Sequence, residues 1–159
     1  MDQLIPVRAI LFPADGRQPS VVQVMTSPTQ FGAQRGPCMP HPEAYMDFIA
    51  EPSTLGGAKP WKFFIVYSLD GMNGKFSHPY IVYYPTVSRD GKPFPINKSI
   101  RNIQDANFCE QNAWRGNVII GKFHDHDHPF YSLMDASMAD FPIMKNFIRS
   151  QGSPARVQY

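Results

Sequence analysis

The sequence predicts an α+β domain: an antiparallel sheet of about five strands with two main helices packed on one face. Three observations carry this. Short β-rich runs come in pairs, and turn residues separate the members of each pair, which is hairpin patterning. Only two segments place apolar residues at helical spacing. The 159 residues, 43% hydrophobic and 18% charged, suit a single domain, 1–159, with a real core. Sixteen prolines and eleven glycines imply short elements and many turns, and twelve Phe with seven Tyr imply an aromatic core.

The elements follow in order. Residues 6–13, PVRAILFP, read as a strand. A turn, ADGRQ, leads to SVVQVMT at 20–26, giving a hairpin around Asp15 and Gly16. Residues 27–42 hold four prolines and two glycines and read as a long loop. Pro42 then opens a predicted helix, PEAYMDFIA, that buries Ala44, Tyr45, Phe48 and Ile49 and leaves Glu43 and Asp47 in water.

WKFFIVYSL at 61–69 is the strongest strand signal, and its apolar character on both faces predicts a central place in the sheet. DGMNGKFSH links it to PYIVYYP at 79–85 as a second hairpin. Residues 86–113 are a long connection with a turn at Asp90–Gly91 and a helical turn before Phe108. RGNVIIGKF at 115–123 is the last strand. DFPIMKNFIRSQG is the second helix, with Asp140 as N-cap and Pro142 in the first turn. Its buried stripe is Phe141, Met144, Phe147 and Ile148, with Ile143 at the margin; Lys145, Asn146 and Arg149 face out. Gly152 stops it, and 153–159 form a frayed tail.

Composition excludes several classes. A net charge of +2 with no basic run argues against a nucleic-acid protein. No stretch reaches the ~20 apolar residues of a membrane span, and the N-terminus lacks signal-peptide character. A cytoplasmic protein without membrane partners is expected, so the sequon at Asn97 carries no weight. Two cysteines do not make a disulfide scaffold. Cys109 reads as a small buried apolar residue, and Cys38 has only sequence nearness to His41. No glycine pattern forms a phosphate loop, and neither catalysis nor a bound cofactor is expected.

The most unusual stretch is GKFHDHDHPF at 121–130. In extended backbone, His124, His126 and His128 point one way and Asp125 and Asp127 the other. Same-face neighbours then lie roughly 6.5–7 Å apart, and imidazoles at that spacing can converge on zinc or another divalent transition metal. His78 or His41 is the candidate extra ligand. The spacing does not fit the His-x-His-x-Asp-His motif of metallo-β-lactamase-like hydrolases, and no Glu follows as in cupins. The simpler reading is a polar exit from the sheet.

Aromatic residues on the strands raise a different idea. Trp61, Tyr67, Tyr80, Tyr83, Tyr84 and Trp114 are core if both faces are covered, and an interface if one is not. With Lys62, Arg115 and Lys122 the same face would stack bases.

The residues Trp114, Arg115, Gly116, Asp140 and Pro142, in AWRGNVIIGKF and the segment after it, resemble the C-terminal half of small proteins of mushroom-forming (basidiomycete) fungi. The resemblance covers roughly a third of the chain, and implies a fungal, non-enzymatic protein without assigning any residue a role. The expected function is therefore a small intracellular interaction protein, with a protein partner or a homo-oligomer formed through an aromatic sheet face or an edge strand. The alternatives are a metal site on His124, His126 and His128, and a weak single-stranded nucleic-acid binder.

Overall fold

A computed structural model describes residues 4–31, 34–67, 78–123 and 133–150, with backbone alone at 28–31 and 34–39. Its strands are β1 Ile5–Phe12, β2 Ser20–Phe31, β3 Gln34–His41, β4 Trp61–Val66, β5 Tyr80–Pro85, β6 Val118–Phe123 and β7 Leu133–Met134. The α-helices are α1 Lys98–Gln104 and α2 Phe141–Ser150. One antiparallel sheet runs β3-β2-β1-β6-β5-β4, with β7 also on β6. The predicted class holds, with seven strands among the described residues rather than about five.

Alternation along each strand builds two cores. On β1, Ile10 and Phe12 face the helices, while Val7, Ala9 and Leu11 face the other way. The helix-side core adds Phe64, Val82, Ile120 and Trp114 from the sheet side, Ile100 and Ile103 from α1, and Met144, Phe147 and Ile148 from α2. The opposite core joins Val24, Ile81, Tyr83, Ile119 and Phe123 as the sheet curls. Its cover is the crossing after β3, which lays Met46, Tyr45 and Ile49 on that face. Ile10 and Ile119, both without solvent exposure, place the centre of the sheet at β1 and β6.

Several predicted elements change. Where described, residues 27–42 are not loop but the end of β2 and all of β3, with Pro42 opening the turn after it. Prolines are tolerated there because β1 accompanies β2 only to the Ile5–Thr26 pair, so among the described strands Pro28 needs no bond on that side. The register also shifts between Ser27 and Pro28, and β3, with Pro37 and Pro40, is an edge strand. The helix predicted from Pro42 is a single 3-10 turn, Pro42–Tyr45. Beyond it Phe48 takes φ +63 and is 68% exposed, and Ile49 bridges to Ser88. Crossing the sheet face sets this segment's conformation, and helical spacing does not survive it.

The long connection 86–113 carries α1. Asn97 caps it: its carbonyl accepts from Ile100 N at 2.9 Å. The Asn97 amide donates to Phe12 O at 2.7 Å and Gly116 O at 2.8 Å. The sequon asparagine is thus a buried joint between helix, β1 and the entry to β6. The expected turn at Asp90–Gly91 is present, with Lys92 N donating to Asp90 Oδ1.

β4 is not central but terminal, and Lys62 and Phe63 are exposed on it. Asp140 is not the N-cap. Ser137 caps a 3-10 turn, Met138–Asp140, that runs into α2, and Asp140 completes a capping box. Met144, Phe147 and Ile148 are buried as expected, Phe141 is half-buried, and Ile143 is exposed. Gly152 and the tail lie outside the described residues.

Candidate functional site

His124, His126 and His128, with Asp125 and Asp127, lie outside the described residues. Their two candidate helpers do not. His78 precedes Pro79, whose carbonyl accepts from Phe123 N at 2.8 Å, so His78 stands beside the end of β6 from which the histidine run leaves. His41 closes β3, and its Nε2 lies 2.6 Å from Ser27 Oγ. Among the described residues no three His, Cys, Asp or Glu side chains group to hold a metal. Cys109 is exposed rather than buried, because the 3-10 turn it precedes lies on the surface. The Cys38 side chain is outside the description.

The aromatic residues are mostly core. Trp61, Tyr80, Tyr83 and Trp114 are buried, and Tyr84 packs against the helix-side core. Trp114 stacks on Phe64 with ring centres 5.8 Å apart. Two of the three cations beside them have structural work: Arg115 Nη1 donates to Phe94 O, and Lys122 pairs with Asp140, while Lys62 is exposed on β4. Gly116 sits at φ +76, where a Cβ would come within 2.6 Å of Pro85 Cγ. The Trp-Arg-Gly stretch is therefore packing, clamp and close approach in turn.

Asp140 centres a buried polar network. Its Oδ1 accepts from the Tyr80 hydroxyl at 2.8 Å and lies 3.0 Å from Lys122 Nζ. Its Oδ2 accepts from Ser137 N at 2.9 Å. Burial pushes the carboxyl up, but the Ser137 N–H, the Lys122 ammonium and the Tyr80 hydroxyl hold it below its ordinary value. Burial first, then the neighbouring carboxylate, raises the Tyr80 phenol. The network ties β5, β6 and the start of α2 together, and sequence alternation alone had no means of pairing residues so far apart.

Among the described strand residues, the exposed aromatic surface is on and just past β4. Phe63 is 55% exposed, and Tyr67, just past the strand, is partly exposed. Phe63 leans on two buried rings, Trp61 at 6.5 Å and Tyr83 at 6.4 Å between centres. Trp61 is held in turn by Glu43, whose Oε1 accepts from its Nε1 at 2.8 Å, and by the Lys59 ammonium over its ring. Phe63 is thus a solvent-facing ring on a rigid base. β4 pairs with β5 from Trp61–Pro85 to Val66–Tyr80, and no other described strand pairs with it.

No helix among the described residues is long and apolar enough to cross a membrane. No family model, curated protein or solved structure matches the chain.

Proposed function

We propose that this chain is an interaction protein that associates with a second copy of itself through the outer edge of β4. The observation behind this is a terminal strand of sequence WKFFIV, paired along one side only among the described strands, with an exposed phenylalanine near its middle. Such an edge presents a row of backbone donors and acceptors that another strand can satisfy. Two identical edges related by a two-fold axis pair antiparallel, and opposed residues must share a face. A register centred on Phe63 sets each Phe63 against its counterpart and each Trp61 against Ile65 of the other copy. The two Lys62 ammonium groups then lie diagonally across the axis, which keeps the association reversible and salt-sensitive.

Light scattering over a concentration series tests this. Mass should rise toward twice that of the monomer, and Phe63→Glu should weaken association about tenfold or more without lowering Tm. A strict monomer at all concentrations, or a Phe63→Glu variant that associates as before, overturns the proposal.

A second reading has one supporting observation, the position of His78 beside the end of β6. It assigns a divalent transition metal to His124, His126, His128 and His78. Tag-free protein should retain stoichiometric metal, and His78→Ala should release it. Metal-free protein whose Tm does not respond to added zinc ends this reading.

A further inference from the structure

We propose that the cleft between α1, α2 and the β1–β2 turn binds a phosphate monoester. The cleft is about 180 Å³ and is lined by Arg17 from the turn, Asn102 from α1, and Lys145 and Arg149 from α2. Three elements far apart in sequence each bring a cation or a polar group to one place. Among the described residues no acidic side chain lines it.

The charge arrangement is unfavourable without an anion. Lys145 and Arg149 are one helical turn apart, and like charges at that spacing repel. Arg149 has a reason of its own, since a cation suits the C-terminal turn of a helix. Arg17 and Lys145 have no such reason for converging on the same cleft. Arg17 is partly offset by Asp15, with Nε 2.8 Å from Oδ2, and Arg149 Nε donates to Ile103 O at 3.4 Å. Each guanidinium thus has a contact at Nε, and among the described residues its terminal nitrogens carry no bond. Ser99 adds rigidity: its hydroxyl reaches Pro13 O at 2.8 Å and Arg17 O at 2.6 Å, fastening α1 to the turn that carries Arg17.

Size and charge choose the ligand class. A volume of about 180 Å³ is below the roughly 300 Å³ at which pockets for larger organic ligands begin, so the site suits a head group. Two guanidinium groups and one ammonium approaching from different elements match a tetrahedral, doubly charged oxyanion better than a planar, singly charged carboxylate. The contrast with the cleft on the other side of the same turn is direct. That cleft, about 310 Å³, sets Asp15 and Asp47 against Arg17 and Lys98, so its charges balance and it does not select for an anion.

The test is calorimetric titration of the whole protein with glycerol 3-phosphate at fixed ionic strength, and flotation with vesicles of phosphatidylcholine containing phosphatidic acid. The probes share one phosphate monoester and separate a free metabolite from a lipid head group. Saturable binding of either supports the site if Lys145→Glu weakens it about tenfold or more and Lys145→Arg retains it. Lys92→Glu, an identical charge change on an exposed loop, should weaken it less than about twofold. Binding of neither probe overturns the proposal, as does equal weakening by Lys145→Glu and Lys92→Glu, which would mark a net-charge effect.

Discussion

Tyr80 and Tyr83 stand three residues apart on β5 and face opposite sides of the sheet. Both are buried. The Tyr80 hydroxyl, under the helices, donates to Asp140, which is itself bonded by Lys122 and Ser137. The Tyr83 hydroxyl, inside the curl, has no hydrogen-bond partner among the described residues. The helix side is thus assembled by packing plus a satisfied polar network. The curled side is assembled mainly by packing, with hydrogen bonds such as Trp61 to Glu43 toward its margin, and at its centre it holds a polar atom at a cost. A buried polar group in a network fixes how elements dock, while an orphan only subtracts from stability.

The largest effect that tests this contrast is at Asp140. Asp140→Asn should cost about 3 kcal/mol in urea unfolding, because it leaves the Lys122 ammonium buried without its counter-charge. The same substitution should alter the acid limb. The carboxyl is held below its ordinary 3.8, so near that pH the unfolded chain binds more protons than the folded one. The stability it confers is complete above 3.8 and is lost as pH falls through the folded value. Asp140→Asn should therefore flatten the loss of Tm below 3.8, and a limb as steep as that of the unaltered protein would remove Asp140 from the account.

Next come the two tyrosines. Tyr80→Phe removes a bond to a charged acceptor and should destabilise by about 2 kcal/mol. Tyr83→Phe removes an unsatisfied hydroxyl and should stabilise by about 1 kcal/mol. Opposite signs from the same chemical change sharpen the comparison, and equal losses at both positions would break it. Phe63→Glu is the smallest in stability terms: an exposed side chain on an edge strand should shift the monomer by no more than about 0.5 kcal/mol, while its effect on association is large.

Much of the sheet was legible in the sequence because alternation is a local signal. Both predicted hairpins formed, and the buried Met144, Phe147 and Ile148 of α2 were readable from their spacing. α1 was not, because seven residues with buried Ile100 and Ile103 show barely two turns of periodicity. The apolar residues after Pro42 suggest a helix, yet they bury Met46 and partly bury Tyr45 and Ile49 by crossing the sheet in irregular backbone. Of the candidate sites, the histidine run was visible from the letters alone. The Asp140 network and the cationic cleft were not, since Tyr80 and Asp140 are sixty residues apart and Arg17 lies still farther from Lys145.

The sequence by itself determined the fold class, two hairpins and the inward stripe of α2, because each depends on periodicity over a few residues. Tertiary structure decided which strand is an edge, which tyrosine is satisfied and which cations meet. Those outcomes depend on neighbours brought together by topology, and a run such as WKFFIV carries the same local pattern at the centre of a sheet as at its rim.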